Sequence, residues 1–177
     1  MTLSSRWTIR PLTPADEPGL HQLRLQALSL HPEAFGTSVE EERAEGSSRM
    51  IGAYPSLTLG AFADDALVGM GGLLVPARVK QRHRGNLFSL FVAPAWRGQG
   101  VGHALLHGLV DHARRVGLRY VTLSVTVGNL QARALYRAAG FLSVGMEPDG
   151  FLVNGVTHDE ERMALRLIRT ETVSSQE

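Results

Sequence analysis

A chain of 177 residues that is 44% hydrophobic and 20% charged fits one domain with a real core and is too apolar for global disorder. A formal net charge of +1 argues for neither nucleic acid nor a membrane as partner, and the lack of cysteine excludes disulfides, thiolate metal sites and a cysteine nucleophile. Residues 1–7 lack the apolar core of a signal peptide and no apolar run approaches the ~20 residues of a spanning helix, so a cytoplasmic protein is expected.

Residues 8–12 read as a short first strand that ends at Pro11 on a sheet edge. Thr13-Pro14-Ala15-Asp16 then signals a helix start, with Thr13 and Asp16 as rival caps. The helix carries an apolar stripe of Leu20, Leu23, Ala27, Leu28 and Leu30, and stops near His31 because Pro32 cannot continue it. Residues 32–37 form a loop holding Phe35, and Ser38 with Glu41 is a capping box for a short charged helix over 39–44. Residues 49–55 carry no clear signal.

Residues 57–63 and 67–74 read as an antiparallel hairpin turning at Asp64-Asp65, and the glycines of its second strand point to close backbone approach. A basic loop, 78–84, leads to an apolar central strand, 87–92. After a turn at 93–96 comes Arg97-Gly98-Gln99-Gly100-Val101-Gly102, followed by a helix burying Val101, Leu105, Leu109, Ala113 and Val116 and ending at Gly117. Residues 120–125 are a strand, and Asn129 opens a helix that Gly140 stops. Leu130, Ala134 and Ala138 are expected on its core-facing side, and Asn129, Arg133 and Tyr136 on the other. Residues 141–146 and 161–167 read as the last strands, with Pro148-Asp149-Gly150 and Asn154-Gly155 as turns. The alternation of strands and helices argues one mixed α/β (α+β) domain over residues 1–169, with a polar tail at 170–177.

A strand, a glycine-rich turn and a helix start make an anion site, because backbone N–H groups converge at the positive end of the helix dipole. The spacing decides among phosphate motifs. A dinucleotide fold wants G-x-G-x-x-G, but here the last glycine, Gly102, comes one residue early, and no Gly-Lys-Ser or Gly-Lys-Thr of a nucleotide P-loop occurs.

The stretch Leu90-Phe91-Val92-x-Pro94-x-x-Arg97-Gly98-Gln99-Gly100-Val101-Gly102, followed by Asn129-x-x-Ala132-x-x-Leu135-Tyr136-x-x-x-Gly140-Phe141, resembles the GCN5-related N-acetyltransferase (GNAT) superfamily. The match is strong over residues 87–141 and rests on element order elsewhere. The resemblance implies a mostly antiparallel mixed sheet of about seven strands with about four helices, and a splay between the two central strands. It also implies acetyl-CoA as cosubstrate and direct transfer of the acetyl group to an amine, with no metal.

In such a fold the pantetheine arm pairs with the backbone of Leu90, Phe91 and Val92 like an added strand. The pyrophosphate sits on the N–H groups of Gly98, Gln99, Gly100, Val101, Gly102 and His103. Arg97 reads either as an aid to the pyrophosphate or as a surface ion pair. Asn129 reads as a helix cap, to which the family adds a bond to the pantetheine arm. Tyr136 is an amphipathic boundary tyrosine or, by the family, the acid that serves the leaving thiolate; a phenol with pKa of about 10 stays protonated at neutral pH.

The acceptor amine must lose a proton. Relatives that acetylate protein N-termini often carry a glutamate where this chain has Ser124, which weakens that assignment. Glu41, His83, His158 and Glu160 are the candidate bases, each with an exposed charge, cap or turn as its alternative. Phe35 lines the acceptor cleft or anchors its loop, and Glu41, His83 and Glu160 join it as acceptor-side candidates. The expected activity is N-acetylation of a small primary amine. The alternatives are a protein or peptide acetyltransferase and an inactive CoA-binding sensor. A homodimer is a habit of the family. A metal enzyme is a further class, but none of the seven histidines forms H-E-x-x-H.

Overall fold

The computed structural model describes residues 6–167. Residues 1–5 and the expected boundary at 169/170, with the tail beyond it, lie outside the described residues. In chain order the elements are β1 (Thr8–Pro11), α1 (Glu17–Leu30), α2 (Val39–Glu45), β2 (Leu57–Ala63), β3 (Ala66–Leu74), β4 (Arg84–Val92), α3 (Val101–Arg115), β5 (Tyr120–Thr126), α4 (Leu130–Ala138), β6 (Leu142–Val153) and β7 (Val156–Arg166). The strands form one sheet in the order β1-β2-β3-β4-β5-β7-β6. β4 runs parallel to β5, and every other neighbouring pair is antiparallel. This is the expected seven-stranded mixed sheet with four α-helices.

Both faces of the sheet are covered. On one, α3 buries Val101, Leu105, Leu109 and Ala113 against Leu59, Ala61 and Leu73. On the other, α1 lays Leu20, Leu23 and Ala27 against Phe62, Met70 and Phe91. A 3₁₀ turn, Pro14–Asp16, precedes α1, and the Asp16 carboxylate accepts from Thr13 N at 2.8 Å and from Arg10 at 2.7 and 2.8 Å. Arg10 holds that carboxyl well below its usual range, with help from the Thr13 N–H. Leu30, expected on the buried stripe, is 48% exposed at the last turn of α1, while Arg24 is buried at 5%.

Two irregularities flank the middle of the sheet. β4 and β5 pair only through Arg84–Tyr120, Gly85–Val121 and Asn86–Thr122, so residues 87–92 have no partner on that side. On the other flank Met70 opposes Phe91 and Gly72 opposes Phe88, which leaves Ser89 and Leu90 together opposite Gly71. This is a β-bulge, and Ser89 adopts φ +54° within it. Gly72 permits the arrangement, because a Cβ there would overlap the Phe88 ring.

The C-terminal hairpin differs from its expectation. Pro148-Asp149-Gly150 is not a turn but a register shift inside the continuous strand β6, and β7 begins at Val156 rather than near 161. Pairing resumes on both sides of it, Glu147 with Glu160 and Phe151 with His158, while Asp149 N donates to the Asp159 carboxylate at 2.9 Å. Local turn propensity thus yields to a ladder that continues past it. The true turn is Asn154-Gly155, both with positive φ, the pairing a two-residue hairpin favours.

Candidate active site

The gap between β4 and β5 opens into one cavity of about 720 Å³. Its walls are residues 87–92 of β4, residues 123–126 of β5, the turn before α3, the first turns of α4, and a segment after α1 holding His31, Ala34 and Phe35.

At the start of α3 the chain turns through Gly98 at φ +71° and Gly100 at φ +82°, the latter as N-cap. A side chain at Gly100 would be strained in this left-handed backbone. The ladder of α3 begins with Ala104 N donating to Gly100 O at 3.0 Å, so the N–H groups of Val101, Gly102 and His103 precede it at the positive end of the helix. Gly98, Gly100, Val101, Gly102 and His103 all line the cavity. Gln99 does not; its side chain donates to Ala95 O at 3.0 Å.

Arg97 turns toward the cavity interior. Its Nε donates to Val92 O at 3.0 Å, and Nη2 lies 3.0 Å from His31 Nε2. A guanidinium has only donors, so His31 Nε2 is the acceptor and its ring proton is on Nδ1. The guanidinium also lies 5.5 Å over Phe91. Arg97 makes no ion pair among the described residues.

On α4, Asn129 is the cap, its Oδ1 accepting from Ala132 N at 3.1 Å, and it borders the cavity. Tyr136 lines the cavity too and is 8% exposed, and burial pushes its phenol up to about 12. The helix is rotated from its expected face. Ala132, Leu135, Tyr136 and Ala139 pack on the core, while Leu130 is 69% exposed, Ala138 is exposed, and Ala134 is exposed on the cavity wall. The helix is strongly amphipathic: Ala132, Leu135, Tyr136 and Ala139 recur at 3-4 spacing as its buried stripe, and Arg133 and Arg137 beside it reach Glu161. Arg133 bonds buried Glu161 of β7 at 2.6 Å and Val127 O at 2.9 Å, and Arg137 reaches Glu161 at 3.2 Å. Burial raises the Glu161 carboxyl, but bonds from Arg133, Ser143 and Arg137 outweigh it and hold it below its usual range.

At the other end, Thr126 Oγ1 donates to Glu33 O at 2.6 Å and Val127 N to Asp159 O at 2.9 Å, tying the wall segment and β7 to the end of β5. Phe35 lies on the wall with the Arg24 guanidinium 4.8 Å from its ring. Glu41, His83, His158 and Glu160 are not on the wall. Glu41 caps α2 through Ser38, whose N–H and hydroxyl lower its carboxyl. His83 sits in the loop before β4, where its carbonyl accepts from Arg119 N at 2.7 Å. Glu160 opposes Glu147 on β6, and burial together with the Glu147 charge raises it against the pull of Arg162.

The structure therefore gathers Phe35, Leu90, Phe91, Val92, Arg97, Gly98, Gly100, Val101, Gly102, His103, Asn129 and Tyr136 around one space. It adds His31, Ser89 and Trp96, which sequence reading treated as a helix end, a strand residue and a turn residue. Proximity of each to the motif was the available signal for Ser89 and Trp96. Nothing local signals His31, which arrives from a segment 66 positions before Arg97.

The model of the acetyltransferase (GNAT) family matches residues 20–141. An aminoglycoside N(6')-acetyltransferase type 1 from Stenotrophomonas maltophilia is 33% identical over 149 residues, covering 78% of this chain and 88% of the relative. A spermidine N(1)-acetyltransferase from Vibrio cholerae is 30% identical over 101 residues, covering 56% of this chain and 58% of the relative. The structure of yncA from Salmonella typhimurium with its cofactor acetyl-CoA matches with a TM-score of 0.77 at 22% identity, covering 96% of this chain and 99% of that one, a likeness of fold.

Proposed function

The chain belongs to the acetyltransferase (GNAT) family and is an acyltransferase, and on that premise we propose that it transfers the acetyl group of acetyl-CoA to a primary amine of a small molecule. The observation that carries this reading is the single cavity joining the β4–β5 gap to the N-terminus of α3. A strand edge without a partner suits an amide-bearing arm, and a helix start at its mouth suits a pyrophosphate.

In this reading the N–H groups of Gly98, Gln99, Gly100, Val101, Gly102 and His103 hold the pyrophosphate. The backbone of Leu90, Phe91 and Val92 holds the pantetheine arm, and Asn129 flanks it. Arg97 serves through its grip on Val92 O and His31, shaping the middle of the cavity. Bound there, acetyl-CoA supplies a thioester whose carbonyl carbon takes the amine nitrogen as the C–S bond breaks. Backbone donors of the β4 bulge face the carbonyl oxygen where charge develops. Tyr136 donates a hydrogen bond to the departing sulfur. A phenol at about 12 is a weaker acid than a thiol at about 8.5, so Tyr136 stabilises the thiolate by that bond and keeps its own proton. None of Glu41, His83, His158 and Glu160 lies on the wall, so any of these would take the amine proton only through water.

Two relatives whose names specify small-molecule amines, an aminoglycoside and spermidine, support the acceptor class. In this reading residues 1–169 are the catalytic domain and the protein acts in the cytoplasm. Acetyl-CoA is expected to raise the melting temperature by ligand linkage, and thiol release is expected with at least one small amine from a panel of polyamines, amino sugars and amino acids. No thermal shift at saturating acetyl-CoA would sink the donor assignment. Turnover confined to peptides in the same panel would move the acceptor to the protein class.

A further inference from the structure

The bulge in β4 is held from below. Arg24 of α1 is 5% exposed and sends Nη1 to Ser89 Oγ at 3.0 Å. The same guanidinium lies under the Phe35 ring at 4.8 Å. Its Nε is buried and has no hydrogen-bond partner; Glu42 Oε2 is 3.7 Å away. Glu42 is itself fully buried on α2 and is already engaged by Ser47 and by Arg49 at 3.1 Å. Arg24 and Glu42 thus form a buried ion pair that ties α1 to α2, but that pair does not account for the Nη1 bond to Ser89 or the contact with Phe35.

Ser89 is the atom's reason. It is one of four described non-glycine residues with positive φ, and the other three, Asp64, Asp149 and Asn154, are of the types that tolerate it in turns. Serine in a strand interior does not tolerate it as readily. Ser89 and Leu90 have no register partner in β3 or β5. The ladder therefore gives neither residue a cross-strand register partner at the place where the cavity needs fixed donors.

Resting on the acetyl-transfer reading, we propose that Arg24 is a positioning residue for the reaction: by holding Ser89 Oγ it fixes the bulge, and with it the main-chain groups of Ser89 and Leu90 that meet the thioester. Arg24 touches no reacting atom. It acts through Ser89, while its contact with Phe35 sets the adjoining wall in register with the bulge.

The test uses the full chain with Arg24→Met, Ser89→Ala, their double, and Arg24→Met/Ser89→Gly. A displaced near-attack geometry costs about 10- to 100-fold in kcat; that loss is expected for Arg24→Met and for Ser89→Ala, with acetyl-CoA affinity by thermal shift changed little. The Arg24→Met/Ser89→Ala double is expected to be no worse than Arg24→Met alone, since that single already removes the Ser89 bond along with the Phe35 and Glu42 contacts. Glycine adopts the left-handed backbone without strain, so Ser89→Gly is expected to recover part of the Arg24→Met loss. Amide NMR shifts of Ser89 and Leu90 are expected to move in Arg24→Met. Losses that multiply in the double or unmoved Leu90 amide shifts would overturn the proposal, and wild-type kcat in Ser89→Ala would overturn it even if Arg24→Met fails to fold. A wild type that neither binds acetyl-CoA nor releases thiol overturns the acetyl-transfer reading instead, and the amide shifts then still report whether Arg24 holds the bulge.

Discussion

At the α3 mouth the cavity is lined by main chain: Gly98 and Gly100 at positive φ, and the N–H groups that precede Ala104. At the far wall it is lined by side chains from distant segments: Phe35 over Arg24, Arg24 on Ser89, and Thr126 on the Glu33 carbonyl. The first region is made by six consecutive residues and presents one geometry to one kind of ligand. The second is made by contacts that span up to 93 positions of sequence, and each can change without rebuilding the first.

The largest expected effect tests whether α4 is a rigid boundary of the main-chain half. Glu161 is 2% exposed and bonded to Arg133 and Arg137. Breaking a buried pair by removing one partner costs about 3–5 kcal/mol, so Glu161→Ala is expected to lower urea-unfolding stability by that order. An unchanged midpoint would show that α4 needs no such anchor.

Next, Gly100→Val is expected to weaken acetyl-CoA binding by about 100-fold or more, since it strains a left-handed N-cap and puts a branched side chain at the anion turn. Calorimetric titration measures it, and near-normal affinity would disconnect the turn from the ligand.

Tyr136→Phe is expected to lower kcat by about 10- to 100-fold with acetyl-CoA affinity kept. It also carries a pH signature. Burial raises the folded pKa from about 10 to about 12, so the stability tied to the neutral phenol is whole below the unfolded value and lost as pH rises toward the folded one. Wild type is therefore expected to lose more stability between those values than Tyr136→Phe, as followed by thermal melts in alkaline buffers.

Gly72→Ala probes the far side of the bulge. A Cβ would overlap the Phe88 ring, and overpacking of this kind costs about 1–3 kcal/mol. The smallest effect belongs to Asp16, far from the cavity. Asp16→Asn is expected to cost about 1 kcal/mol or less at neutral pH. Because Arg10 depresses the folded pKa, that contribution is present above the usual carboxylate range and fades as pH falls through it.

Most element boundaries were legible because they depend on neighbours in sequence. Pro32 ends α1, Ser38 with Glu41 caps α2, and Asn154-Gly155 closes the last hairpin. The main-chain half of the candidate site was legible for the same reason, since left-handed glycines before a helix are a local pattern. Three features were not. The Pro148–Gly150 stretch looked like a turn until pairing with β7 absorbed it. The face of α4 was reversed because Tyr136 reads as polar by its hydroxyl yet buries its ring, completing the stripe Ala132, Leu135, Tyr136 and Ala139. Arg24 sat unnoticed in an apolar stripe because its partner Ser89 is 65 positions away.

The amino-acid sequence by itself determined the order of strands and helices and the phosphate-type turn at residues 97–102, because backbone preferences and hydrophobic period act over a few residues. Only the tertiary structure decided where β4 and β5 part, that Ser89 bulges between them, and which side chains close the far wall. Those depend on sheet register and on buried charges meeting across long loops, and neither leaves a local trace in the chain.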